Sequence, residues 1–211
     1  MIKYCSLSFD DGPNTGTTIE VLDVLKKHNV PASFFVCGKN VTDETESVLQ
    51  RAVSQGCDIE NHSKTHQAMT AQSVDEIIDE IEYTDNVVLK ATGKKPTLFR
   101  PPYIAYDNRM YENISHTFIC GVGCDDWDNA VSVEKRVDVI TSSVKDGNII
   151  LLHDMMGNDA TVEALDLIIP ILKEKGFEFV TTKKLFEVKG ITPKPHDRII
   201  YTNVLQKEER I

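Results

Sequence analysis

The chain has 211 residues, with 23 Lys and Arg against 33 Asp and Glu for a net charge of −10. Its 41% hydrophobic and 27% charged residues suffice for one packed domain and exclude global disorder. The longest aliphatic run, Ile149-Ile150-Leu151-Leu152, is far below the ~20 residues that span a bilayer, so no membrane segment is expected.

In chain order, residues 2–9 read as a strand, followed by the turn-rich Asp10-Asp11-Gly12-Pro13-Asn14-Thr15. The spacing of Ile19, Val21, Leu22 and Leu25 predicts a helix over 17–28, and Pro31 separates it from a strand at 32–36. A helix over 47–55, closed by Gly56, leads to a strand at 58–61. Ser73 with Glu76 three residues on is a capping-box pattern; it opens a helix that ends at Gly93 and turns Val74, Ile77, Ile78, Ile81 and Val88 inward. Leu98-Phe99-Arg100 is a short strand stopped by Pro101-Pro102. Beyond it come a strand at 117–121, a helix at 133–144, a buried strand at 148–152, a helix at 161–175 and a strand at 177–180. This alternation predicts a single α/β domain over residues 1–190 with a parallel sheet, either a compressed barrel or doubly wound. Residues 191–211, with Pro193-Lys194-Pro195 and a charged end, read as a C-terminal strap or linker stub.

The polar clusters all follow strands. Asp10-Asp11 follow the first, His62 and His66 the third, Arg100 the fourth, Asp125-Asp126-Trp127 the fifth and His153-Asp154 the sixth. In parallel α/β folds the C-terminal ends of the strands share one rim, where active sites are built. On a helical turn, His62 and His66 at i, i+4 would share one side and could hold a metal, with a carboxylate as third ligand and open positions left for chemistry; two histidines in a surface loop is the simpler alternative. Asp11 suits the ligand role and Asp10 that of a base toward water. Arg100 could keep Asp10 ionised, and His153 opposite the metal could act as general acid. Trp127 could wall a pocket for a small group, although core filling explains a lone Trp more simply. His28, His116 and His196 lack clustered partners, and Gly121-Val122-Gly123 lacks the third glycine of a dinucleotide loop. Five cysteines without a CxxC pair argue against a disulfide framework or a Cys-rich zinc site. The acidic balance argues against a nucleic-acid partner and leaves neutral sugars open.

Ser8-Phe9-Asp10-Asp11-Gly12, His62-Ser63-Lys64-Thr65-His66, Arg100-Pro101-Pro102-Tyr103, Asp126-Trp127 and Leu151-Leu152-His153 resemble, in order, the five motifs of carbohydrate esterase family 4, the polysaccharide deacetylases with a NodB homology domain. The resemblance spans about residues 4–186, and residues 119–127 and 161–172 look most like acetylxylan-esterase-type members. It implies a distorted (β/α) barrel and metal-dependent hydrolysis of acetyl groups on a polysaccharide, with zinc or cobalt as the usual ion. Carried over, Asp11, His62 and His66 would be the metal ligands, Asp10 the base, Arg100 its partner and His153 the acid. Leu151 and Trp127 would line the acetyl pocket, and the Tyr103 amide would help bind the oxyanion. The family's fourth motif often has an Asp four residues before its Trp; Gly123 stands there, so Asp125 substitutes for it or His153 goes unpartnered, with Asp126 a further candidate for tuning. An unpartnered acid would favour an ester over an amide. The expected substrate is therefore O-acetylated xylan, with N-acetylglucosamine polymers as the alternative and a non-catalytic carbohydrate-binding protein as the rival from another class. A metallophosphatase would call for more cationic clamps than Arg100. The opening Met1-Ile2-Lys3-Tyr4 carries no apolar leader, while a polymeric substrate favours export.

Overall fold

The computed structural model describes residues 2–194 and 196–206; Met1, Pro195 and the charged end at 207–211 lie outside them. The elements alternate as β1 (Lys3–Asp10), α1 (Thr17–His28), β2 (Ser33–Val36), α2 (Glu46–Ser54), β3 (Asp58–Asn61), α3 (Val74–Thr92), β4 (Leu98–Phe99), α4 (Asn108–Asn113), β5 (Thr117–Ile119), α5 (Val133–Ser143), β6 (Ile149–His153), α6 (Asp159–Glu174), β7 (Phe177–Phe179), α7 (Thr182–Val188) and β8 (Ile200–Tyr201). No helix among the described residues is long and apolar enough to cross a membrane.

All strand pairings are parallel, in the order β6-β1-β2-β3-β4-β5-β8, with β7 pairing the first half of β1. Past β5, Val122 makes an isolated parallel bridge to Ile150 of β6, which brings the two flanks of the sheet together. The result is a distorted (β/α) barrel, which decides the choice that element spacing left open. Strand side chains alternate between faces. Cys5, Leu7 and Phe9 of β1 pack outward, with Phe34, Val36, Ile150 and Leu152, against the buried faces of α1, α2 and α6. Ser6, Ser8 and Asp10 are left to point into the barrel. The same alternation aims Glu60 and His62, Leu98 and Arg100, and Ile149, Leu151 and His153 inward, so chemistry-bearing residues meet at the mouth.

The capping box at Ser73 forms as the sequence predicts, and Gly93 ends α3 at φ 74°, a left-handed conformation that costs glycine little. The inward face of α3 differs from expectation. Val74 and Ile78 are only half-buried, while Glu80, Thr84 and Asp85 are buried beside Ile77, Ile81 and Val88. The chain after residue 190 is also more than a strap or stub. β8 pairs with β5, and Ile199, Tyr201 and Val204 join a core cluster with Phe35, Leu98 and Phe186. α4 and α7 are too short for periodicity to flag.

Candidate active site

Asp10 ends β1, buried in the barrel mouth, and fully buried Arg100 donates to its Oδ1 across 2.5 Å. The same guanidinium donates to Ser8 Oγ at 2.8 Å and to the Cys120 carbonyl at 2.6 Å, and its carbon lies 4.2 Å from the Phe35 ring centre. Burial by itself would raise the Asp10 carboxyl, but Arg100, with help from His62 and His153, holds it below the usual carboxylate range.

Asp11 Oδ1 lies 3.6 Å from His62 Nε2 and 3.3 Å from His66 Nε2, and one donor atom from each of the three residues falls within 4.8 Å of the others. His62 Nδ1 sits 2.6 Å from the Arg100 carbonyl. A carbonyl only accepts, so Nδ1 carries the proton and Nε2 presents its lone pair to the triad. Two imidazole nitrogens and one carboxylate fit a divalent cation of the zinc or cobalt type. Burial, then His62, lowers the pKa of His66, which favours its neutral, ligating form.

The two histidines do not share a helical turn. The 62–66 segment is an irregular loop with Ser63 and His66 in left-handed conformations, φ 65° and 61°. Side chains hold it in that shape. Glu80 of α3 accepts from the Lys64 and Thr65 amides at 2.8 Å each and from Thr65 Oγ1 at 2.6 Å, and Asn61 Oδ1 accepts from the Ser63 amide at 2.8 Å. Asp85 in turn accepts from Asn61 Nδ2 at 2.8 Å. Asp11, Tyr103, Ile104 and Asp125 are also left-handed, at φ 78°, 59°, 54° and 54°. Such strain costs of order 1–3 kcal/mol per residue and collects where geometry serves chemistry.

His153 ends β6 in register with Asp10. Its partner is Asp126, whose Oδ1 lies 2.8 Å from Nδ1 and whose Oδ2 accepts from the His153 amide at 2.8 Å. Burial alone would lower the imidazole; the hydrogen bond to and charge of Asp126, then Asp10 and Asp11, push it up to about 9. Asp125 does not take this role: it sits in a left-handed turn on the cleft wall, and among the described residues only its carbonyl is engaged, accepting from the Asp128 amide. His153 is thus partnered, and the case for an ester from an unpartnered acid falls away.

Trp127 lines the cleft at 57% exposure instead of filling the core, and Tyr103, 70% exposed, sets its ring edge-on to His66 at 4.8 Å. The turn at 101–105 is closed by the amides of Ile104 and Ala105, not by that of Tyr103. Leu151 forms part of the floor of this cleft of about 520 Å³. Asp154, quoted above without a role, is buried behind the Asp10-Asp11 turn. It accepts from the Gly12 amide at 3.1 Å and from Thr18 Oγ1 at 2.5 Å, and burial pushes its carboxyl up to about 7. A Cβ at Gly12 would lie 2.4 Å from the Asp154 carboxylate, which explains the glycine there. Four cysteines are buried, and all five are free thiols; Cys120, half-buried, borders the cleft.

Residues 2–118 match the family model of polysaccharide deacetylases. Over 202 residues the chain is 46% identical to a bifunctional xylanase/deacetylase of Pseudobutyrivibrio xylanivorans, covering 96% of this chain and 33% of that protein. It is 38% identical over 190 residues to the peptidoglycan-N-acetylglucosamine deacetylase PgdA of Listeria monocytogenes, covering 89% of this chain and 40% of that one. The chain therefore spans about a third to two fifths of the length of these curated relatives. A family 4 acetyl xylan esterase from Clostridium thermocellum, solved with a cobalt ion, superposes with a TM-score of 0.94 at 40% identity, covering 97% of this chain and all of that one. The chain belongs to the polysaccharide deacetylase family, the family 4 carbohydrate esterases with a NodB-type barrel.

Proposed function

We propose that the protein hydrolyses acetyl groups on a polysaccharide, with O-acetylated xylan as substrate. The observation that carries this reading is the opposite protonation of two groups facing one cleft. Asp10 is kept anionic by Arg100, while His153 is kept protonated by Asp126. Such a pair can take a proton at one step and deliver one at the next.

A divalent cation held by Asp11, His62 and His66 would polarise the acyl carbonyl and lower the pKa of water. Asp10 takes the proton from the attacking water. The Tyr103 amide donates to the oxygen that gains negative charge as the carbonyl becomes tetrahedral. His153 then protonates the departing sugar oxygen. Leu151 and Trp127 provide the apolar surface against which the methyl group rests.

A neutral xylan suits an acidic protein with Asp125 at its rim, and the resemblance to xylan-active relatives points the same way. N-deacetylation of N-acetylglucosamine polymers is the second reading, favoured by one observation. A His153 that Asp126 keeps protonated has a proton to deliver to an amine leaving group as well. A pure binding protein would need neither the base nor the acid. The polymeric substrate also makes an extracellular compartment part of this proposal, to be checked by assaying the medium of the producing cell.

The test is acetate release from acetylated xylan and from chitooligosaccharides, each with zinc, cobalt or EDTA. Release from xylan that EDTA stops supports the ester reading, and release from the amino sugars alone moves it to the amide. Asp10→Asn should abolish release while still binding cobalt; full activity in that variant would sink the mechanism.

A further inference from the structure

Arg136, on α5, is fully buried, yet among the described residues it makes no ion pair. A cation taken out of water without a carboxylate is costly unless its donors are all well used. Its Nη1 donates to Asn158 Oδ1 at 2.8 Å and to Thr161 Oγ1 at 2.7 Å. Nε and Nη2 donate to the carbonyls of Val131 and Asp128 at 3.0 and 3.1 Å. The guanidinium therefore joins the loop after Trp127 to the start of α6.

What it does there follows from donor and acceptor bookkeeping. Arg has no acceptor. Thr161 Oγ1, accepting from Arg136, must turn its own hydrogen elsewhere, and it donates to Asp126 Oδ2 at 2.7 Å. Asn158, accepting through Oδ1, must present Nδ2 to the other side, where it donates to the His153 carbonyl at 3.0 Å. Asn158 stands at the N-cap of α6, a position its residue type favours for capping, yet its side chain makes no capping bond. The side chain is instead spent on Arg136 and His153.

We propose that Arg136 is a positioning residue for the acid side of the site: it polarises Thr161 and orients Asn158 so that Asp126 and His153 are held in reacting geometry. Arg136 touches neither substrate nor the reacting atoms, and its effect passes through two intermediaries. This inference rests on the proposed role of His153.

The test uses the full chain with cobalt or zinc present and compares Arg136→Met, Arg136→Lys, Thr161→Val and the Arg136→Met/Thr161→Val double variant. Arg136→Met and Thr161→Val should each lower kcat about tenfold, the scale at which groups behind a site's first contacts act, with KM within about twofold. The double variant should be no worse than the weaker single, because both remove one relay. Arg136→Lys should recover part of kcat, since an ammonium can still donate to Thr161 and Asn158. The low-field proton resonance of His153 Nδ1–H should shift upfield and exchange faster in Arg136→Met and Thr161→Val.

Unchanged kcat, additive losses in the double variant, or an unmoved His153 resonance beside a lowered melting temperature would each overturn the proposal. If Arg136→Met does not fold, Thr161→Val decides alone: wild-type kcat and an unmoved resonance there overturn it. The resonance also separates the two claims, because it is readable even if the wild type releases no acetate, which would count against the proposed function instead.

Discussion

Asp126 accepts three hydrogen bonds, from the His153 ring, the His153 amide and the Thr161 hydroxyl. That makes it the residue on which the protonation of His153 depends. With Asp126→Asn the largest raising influence is removed, and burial, which lowers the imidazole, is opposed only by the charges of Asp10 and Asp11. The basic limb of kcat against pH should then move down from about 9. A limb that stays in place would show that another group is the acid. Stability follows with a definite sign, because the folded-state pKa of His153 is raised. Its contribution is fully present below the unfolded value of about 6.5 and is lost as pH rises through about 9. The melting-temperature gap between wild type and Asp126→Asn should accordingly be widest in mild acid and narrow on the alkaline side.

At the scale of the element, α3 supports the Asp11, His62 and His66 cluster from behind. Its apolar stripe packs Ile77 and Ile81 beneath α4 with Phe99 and Phe118, and this fixes the helix's rotation. Once the rotation is set, Glu80 faces the 62–66 loop and Asp85 faces Asn61. The loop's two left-handed residues persist because the Glu80 carboxylate holds three of its donors. Glu80→Gln keeps the size but replaces one acceptor oxygen with an amide donor. It should weaken cobalt affinity by about tenfold or more, read by titration of cobalt absorption, with little change in melting temperature of the cobalt-free protein. Unaltered affinity would mean that Asn61 alone holds the loop.

At the scale of the whole molecule, the chain past residue 190 completes the barrel wall. Ile199, Tyr201 and Val204 are buried against Phe35, Leu98 and Phe186, and the Tyr201 ring meets that of Phe186 edge-on at 5.1 Å. At about 1.5–3 kcal/mol per large buried apolar side chain, losing three approaches the roughly 5–15 kcal/mol that holds a domain folded. Truncation after Gly190 should therefore lower the melting temperature steeply or leave the protein unfolded by circular dichroism. A truncated chain melting like the full one would make β8 an accessory.

Much of this protein is legible in the sequence because the rules that shape it are local. Strand periodicity alone turns Asp10, His62, Arg100 and His153 to one side of their strands, and the parallel alternation brings those strand ends to one rim. The capping box at Ser73 is read off four residues. What only the tertiary structure decides involves pairings between distant loops. Of the adjacent carboxylates Asp125 and Asp126, the sequence points first to Asp125 as the partner of His153; the left-handed turn at Asp125 leaves Asp126 to meet it instead. Glu80 and Asp85 lie on the inward face of an apolar stripe, where counting hydrophobic residues passes over them. Trp127 could have filled the core, and β8 is two residues long with a charged tail beyond it. Neighbours far away in sequence settle all of these, because the energy of a buried polar group depends on the partner that folding brings to it.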